Sequence, residues 1–272
     1  MAKIHPSAIV EDGAVLGADA EIGPFCHVGP KVKLGDGVRL VSHAIVAGDT
    51  LLGARSVVHP HAVIGGGPQY RGDDGSGGRL TIGSDCVIRE SVTINMGSMK
   101  GGGLAEVGAR CYFMAYSHVA HDCHIGDGVT FANGVAIAGH VSIGENANVG
   151  GLAAVHQYCR IGRNAFVGGL SGVAGDIIPF GIARGYPAAL RGLNVIGLKR
   201  KGLTRTQIYG MREAYRAIFE GAGTLRERIE AAAARWRDEP EIAEMIAFLQ
   251  ASAKRHICVP PAGAGAESGE EP

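Results

Sequence analysis

The sequence predicts a mainly β protein: a parallel β-helix of hexapeptide repeats followed by a small α-helical domain. Three observations carry that reading. Aliphatic residues recur at every sixth position over most of the chain. The 272 residues include 44 glycines but only 6% aromatics, and no collagen period or low-complexity tract absorbs those glycines. Past Ile178 the period stops and helix-opening signals take its place.

The first run of markers is Ile4, Val10, Leu16, Ile22, Val28, Leu34, Leu40, Val46, Leu52, Val58 and Ile64, and the same phase resumes at Ile82, Ile88 and Ile94. After a shift of one residue it runs from Val107 through Phe113, Val119, Ile125, Phe131, Ile137, Ile143, Val149, Val155, Ile161 and Val167 to Val173. A period of six is neither helical nor a plain strand alternation; it suits a short strand and a turn making one side of a prism. Three hexads close one triangular coil, so residues eighteen apart stack at about 4.8 Å. The residue four places after a marker is usually small, the inward position. Cys26, Cys86, Cys111, Cys123 and Cys159 all fall there and read as core residues rather than redox or metal groups.

Residues 65–81, GGGPQYRGDDGSGGRLT, lose the markers but keep the register, and residues 97–106, GSMKGGGLAE, produce the phase shift. Both are expected to bulge as surface loops, the usual carriers of function on a rigid scaffold. Beyond Ile178, PFGIARGYPAALRG reads as an irregular connection. Thr204 with Gln207 and Thr224 with Glu227 are capping-box spacings that open two helices, and Pro240 suits the first turn of a third running to about Arg255. The expected division is a β-helix over 1–190, a helical domain over 191–258 and a disordered tail over 259–272.

Lys and Arg total 26 and so do Asp and Glu, which leaves no net field to attract nucleic acid or a membrane surface in bulk. No charged segment followed by an apolar core opens the chain, and no apolar run is long enough to span a bilayer. A soluble, cytoplasmic protein is expected.

The stretch SHVAHDCHIG, residues 117–126, holds His118, His121, Asp122 and His124. Val119 and Cys123 point inward, which puts His121 and Asp122 on the turn side of a hexad, facing outward. Adding eighteen and thirty-six brings the pairs Gly139–His140 and His156–Gln157 to the same corner. Three readings compete. The polar groups can be a ladder of solvated turns. Three imidazoles aimed at one point can hold zinc, although Asp122 and Gln157 are then unexplained. A neutral imidazole fixed by a carboxylate can be a general base, with the exposed amide of a glycine facing a developing oxyanion. No Ser or Cys is aligned as a nucleophile, so direct attack by a bound acceptor, as in acyl transfer, fits this inventory best.

The segments IGPFCHVGP, RESVTIN, GGGL, AHDCHIG, AGHVSIG, VHQYCRIG, VGGLSGVAGDI and GLKRKGLTR resemble the bacterial acyl-carrier-protein–UDP-N-acetylglucosamine O-acyltransferases, over all but the last dozen residues. The resemblance implies a left-handed parallel β-helix. It implies transfer of an (R)-3-hydroxyacyl group, about fourteen carbons long, from acyl carrier protein to the 3-position of the sugar nucleotide, the first step of lipid A synthesis. It makes His121 the base, Asp122 its orienting carboxylate and the Gly139 amide the oxyanion donor. Gln69, Asn95, Met114, His118, His140, His156 and Gln157 would line the substrate site. Asn194 and Arg200 would hold the nucleotide, and Gly169 would leave the acyl groove open. Lys199, Arg200, Lys201, Arg205, Arg212 and Arg216 could steer the acidic carrier protein. The family also implies a homotrimer with sites in the clefts between prisms, no metal and no cofactor.

The chain departs from the family in the first loop. A PQDLKY-like segment, whose Asp and Lys contact the sugar, is replaced by PQYRGDDG, and Ile196 stands where Glu is common. Both changes touch the acceptor, so N-acylation of the 3-amino analogue of the sugar nucleotide is an alternative. A non-catalytic β-helix scaffold is the alternative of another class.

Overall fold

The computed structural model describes residues 1–251 and 253–261. Short strands alternate with turns and stack into three parallel sheets that form the sides of a left-handed β-helical prism. Among the described residues the first sheet has eleven strands, beginning at Lys3–Ile4, the second nine, from Ile9–Val10, and the third eight, from Val15–Leu16. The pairing follows the period: Lys3 lies beside Glu21 and Ile4 beside Ile22. Where the loops intervene the pairing jumps from Val57 to Val87 and from Val87 to Tyr112, which places the extra residues outside the coils.

The aliphatic markers and the small residues four places on fill the interior. Val28, Val46, Leu52, Val58 and Ile64 are fully buried, and Phe113 and Phe131 meet at 4.9 Å between ring centroids. All six cysteines are free and buried, and burial pushes the Cys123 thiol up to about 12. In the first coil Ile4 remains 49% exposed. Most turns place one residue in the left-handed region, among them Asp122 (φ 59°), His140 (φ 59°) and Tyr158 (φ 65°). Non-glycine residues there cost of the order of 1 kcal/mol each, a strain the repeated ladder imposes.

The structure alters four expectations. The strands Arg79–Ile82 and Leu104–Val107 take up the ends of the two loops, because Leu80 and Ala105 are core residues. PFGIARGYPAALRG is not irregular: Gly181–Arg184 and Ala189–Leu193 form an antiparallel hairpin, its first arm continuing the first sheet beside Phe166–Val167. Ala183 and Leu190 are the buried residues that drive it. The last helix stops at Gln250 rather than near Arg255, with Ala251 extended, and the chain returns to the prism. There the amide of Asp176 donates to the His256 carbonyl, and Cys258 is buried. Fourth, the outward-facing Asp122 carboxylate is buried under loop residues instead of lying open at the turn, as shown below. Of the expected disordered tail, Val259 accepts a hydrogen bond from the Leu190 amide, and 262–272 lie outside the described residues.

Helix α1 (Val195–Arg200) follows the hairpin, capped by Asn194. Helices α2 (Arg205–Phe219) and α3 (Leu225–Arg235) open on the Thr204/Gln207 and Thr224/Glu227 capping boxes, and α4 (Pro240–Gln250) starts on its proline. Phe248 of α4 covers the Arg160 guanidinium, which is paired at 2.7 Å with the buried Asp176 and so ties α4 to the third sheet. No helix among the described residues is long and apolar enough to cross a membrane.

Candidate active site

Both loops leave the prism at the same corner, between the second and third sheets: the first joins Val63–Gly66 to Arg79–Ile82, the second Thr93–Asn95 to Leu104–Val107. The next turn on that corner carries His121 and Asp122, between the strands His118–Val119 and His124–Ile125. The loops therefore roof this turn, and that changes the chemistry of its carboxylate.

Asp122 is 2% exposed. One of its oxygens accepts from the Ser98 amide at 2.7 Å, the other from the Ser98 hydroxyl at 2.7 Å and from His121 Nδ1 at 2.6 Å. Ser98 is the N-cap of a one-turn helix, Met99–Gly101, in the second loop. Gly101 lies against the carboxylate so closely that a Cβ there would fall 2.3 Å from its carbon, which is why this loop needs a glycine at that point. Burial alone would raise the Asp122 pKa. The bonds from Ser98 and His121 outweigh it and hold the group below the usual carboxylate range. An ionised carboxylate only accepts, so His121 carries its proton on Nδ1 and presents Nε2 as a base.

Gly139 lies directly beneath that imidazole. A Cβ there would stand 2.7 Å from His121 Cε1 and 2.8 Å from Nε2. Its backbone N–H has no protein acceptor among the described residues, while its carbonyl accepts from the Tyr158 amide. His140 meets His121 edge-on at 5.2 Å, and its Nε2 is 3.7 Å from Asp122, too far for a hydrogen bond. Burial lowers the His140 pKa. Asp122 opposes that shift, whereas His121, Lys254 and His124 add to it. Tyr158 stacks on His140 at 4.6 Å, and Lys254 lies 4.0 Å from the Tyr158 ring centre.

The corner thus gathers His121, Asp122, Gly139 and His140. His118, on the second sheet beside it, bonds through Nδ1 to Thr93 at 2.7 Å, and burial followed by the neighbouring His121 lowers its pKa. His124 instead pairs with Glu106 on the third sheet. His156 is exposed and bonded to Arg255, which also donates to the Gln157 carbonyl. Asn95 is buried and anchors the first loop by donating to the Gly67 carbonyl at 2.7 Å. Gln69 is exposed in that loop, Met114 is half-buried at the end of a first-sheet strand, and Gly169 is exposed on the corner between the first and second sheets. Asn194 and Arg200 are not brought to the cluster. The Asn194 amide caps α1 and donates to the Asn164 carbonyl, on the third corner of the prism, and Arg200 is exposed at the end of α1.

Ligand atoms of His121, Asp122 and His140 lie within 4.8 Å of one another. The third imidazole that a zinc reading needs is absent from this group, since His156 is turned to Arg255. Both Asp122 oxygens already serve Ser98 and His121.

Sequence reasoning missed Ser98, Tyr70, Tyr158 and Lys254. Tyr158 was within reach, being Asp122 plus thirty-six. Ser98 and Tyr70 lie in the aperiodic loops, where only the shared corner signals proximity; the Tyr70 ring sits 4.9 Å from that of His121.

A prism of hexads with a carboxylate-backed imidazole on one corner points to the hexapeptide-repeat transferases as the class. The bacterial transferase hexapeptide repeat matches residues 13–48 and 105–139, and the second domain of UDP-N-acetylglucosamine O-acyltransferase matches 176–258. The acyl-[acyl-carrier-protein]–UDP-N-acetylglucosamine O-acyltransferase of Agrobacterium fabrum is 51% identical, covering 96% of this chain and 97% of its own. That of Rhizobium johnstonii is 47% identical, covering 96% of each. The solved UDP-N-acetylglucosamine acyltransferase of Campylobacter jejuni superposes with a TM-score of 0.89 at 34% identity, covering 94% of this chain and 99% of that one. The chain belongs to the acyl-[acyl-carrier-protein]–UDP-N-acetylglucosamine O-acyltransferase family.

Proposed function

We propose that this enzyme transfers an (R)-3-hydroxyacyl group from acyl carrier protein to the 3-hydroxyl of UDP-N-acetylglucosamine, the first step of lipid A synthesis. The observation that carries the mechanism is the His121–Asp122 pair, roofed by the loops and resting on Gly139. His121 Nε2 takes the proton of the sugar hydroxyl as its oxygen attacks the thioester carbonyl. The Gly139 N–H faces the oxyanion of the tetrahedral intermediate. Collapse breaks the carbon–sulfur bond, and the imidazolium returns its proton to the departing carrier thiolate. Asp122 keeps its charge throughout and stabilises the imidazolium.

The outward residues of the second sheet below His118 are Ala136, Ala154 and Gly172, stacked in register. The two alanines offer a smooth strip for the acyl chain, bounded on one corner by Gly169 and stopped at the Gly172 rung, where the Tyr186 ring lies against the glycine. Asn194 and Arg200 occupy a different corner from His121, so they serve the same nucleotide only if a second subunit supplies them. This favours the trimer, with its sites between prisms and α1 beside the neighbour's loops. The basic residues from Lys199 to Arg216 would receive the acidic carrier protein, and both substrates place the reaction in the cytoplasm.

The first loop favours testing a second acceptor, because Asp74 is turned back on Ser76 rather than towards the site. The experiment measures transfer from 3-hydroxytetradecanoyl carrier protein to UDP-N-acetylglucosamine and to its 3-amino analogue, with His121→Ala alongside. Transfer to the hydroxyl sugar that falls by about 10²–10⁴-fold in the variant is expected. Transfer to neither sugar, or an undiminished rate in His121→Ala, overturns the reading. Transfer to the 3-amino sugar alone keeps the mechanism and replaces the product ester with an amide.

A further inference from the structure

The first loop is not an idle insertion over the base. Tyr70 is half-buried, and its ring lies 4.9 Å from the His121 imidazole at an interplanar angle of 44°. It is held from behind: a Cβ on Gly72 would stand 2.9 Å from the Tyr70 ring, and the Gly72 carbonyl accepts from Lys100 Nζ of the second loop at 2.9 Å. The Asp73 amide donates to the Tyr70 carbonyl, closing the turn. At the loop's other end Asn95 grips the Gly67 carbonyl. The ring is therefore fixed by both loops beside the imidazole that an acceptor hydroxyl must reach.

A hexopyranose delivering a hydroxyl to His121 Nε2 is wide enough to meet this ring. One face of such a sugar is lined with C–H groups, and an aromatic face is the complementary surface for it. We propose that Tyr70 is an acceptor-specificity residue, its ring packing against the sugar ring of the nucleotide sugar while His121 takes the hydroxyl proton. The inference rests on the function proposed above. It assigns the divergent loop a positive role in acceptor binding through an aromatic platform.

The test is steady-state kinetics on the full-length enzyme, with the acceptor varied at saturating acylated carrier protein and then the reverse. Tyr70→Ala is expected to raise the acceptor KM about tenfold, Tyr70→Phe to stay near the parent and Tyr70→Leu to fall between. The carrier-protein KM and the pH profile of kcat are expected to stay where they are. An acceptor KM within twofold of the parent in Tyr70→Ala overturns the inference. So does a loss confined to kcat with a displaced pH profile, which would make the ring a shield for the base. Absence of transfer by the parent enzyme is a different result and removes the function itself. Thermal unfolding of each variant separates a lost contact from a lost fold, and Tyr70→Phe and Tyr70→Leu decide the matter if the alanine variant unfolds.

Discussion

Replacing Gly139 by alanine separates the two roles a glycine can have at this position. The variant keeps the backbone N–H, and Gly139 is not in the left-handed region, so neither the proposed oxyanion donor nor the backbone conformation is removed. The added methyl stands 2.7 Å from His121 Cε1 and 2.8 Å from Nε2. Carbon contacts rest at about 3.5–4.0 Å, so the imidazole must move by roughly 1 Å. It cannot move freely. Nδ1 is tied at 2.6 Å to a carboxylate held by Ser98 and closed in by Gly101, so the displacement stretches that bond or swings Nε2 off line.

A misplacement of about 1 Å in a reacting group costs on the order of a hundredfold in rate. The stability cost is smaller, because the prism core is untouched and the most that can be lost is one charge-assisted bond, about 1.5–3 kcal/mol. The expected result is a kcat/KM about a hundredfold down with a Tm lower by less than about 10 °C. Gly151→Ala is the control, since its Cβ would meet nothing nearer than 3.4 Å. Activity within twofold of the parent in Gly139→Ala, with the fold intact, would refute the placement of His121 as the base above this glycine.

Ser98→Ala removes one of the bonds that keep Asp122 ionised, and kcat/KM is expected to fall about tenfold, with Ser98→Thr restoring it; equal rates in all three would show that the Ser98 amide suffices. The neutral form of His118 is favoured by folding, so its pKa lies below the ordinary 6.5. The unfolded chain then binds more protons as pH falls through about 6.5, and stability declines on that side. Tm measured between about pH 5 and 7 is expected to slope less steeply in His118→Asn than in the parent, with His59 and His140, whose pKa values burial also lowers, contributing to the remaining slope. Gly169→Leu fills an exposed corner at slight steric cost, its Cβ lying 3.2 Å from the Gly151 carbonyl. Carrier proteins loaded with acyl chains of graded length should show a preference shifted to shorter chains, and an unchanged preference would place the acyl groove elsewhere.

Period carried most of the fold. A marker every six residues determines both which side chains are inside and which neighbours they meet, so Val57 beside Arg39 was as legible as Ile22 in the core. The same arithmetic brought Gly139 and His140 to His121. It overreached at His156, which lies one residue earlier in its hexad and turns to Arg255 instead. The hairpin over 181–193 escaped because two arms and a turn supply too few alternations to stand out. The burial of Asp122 escaped for a related reason: hexad phase tells which way a turn faces, but not whether something covers it. Ser98 reaches that carboxylate across twenty-four residues through a loop whose path no period specifies.

The repeat also explains why the site stands at one rung and not the next. His140 occupies the same left-handed turn position as Asp122 one coil below, and Tyr158 the same position below that, so the prism offers equivalent corners at every level. What differs is the roof. The loops depart from Gly66 and Asn95, immediately above, and only the turn at 121–122 receives Ser98 and Tyr70. Burial of the carboxylate, the tautomer of His121 and the aromatic ring beside it all follow from that cover. A graft of Gln157→His with Tyr158→Asp would have the ladder but not the roof, setting its carboxylate beside Lys254 and leaving it without Ser98 to hold it. Such a variant, made in a His121→Ala background, is expected to recover no transfer, and measurable recovery would show that the ladder alone is enough.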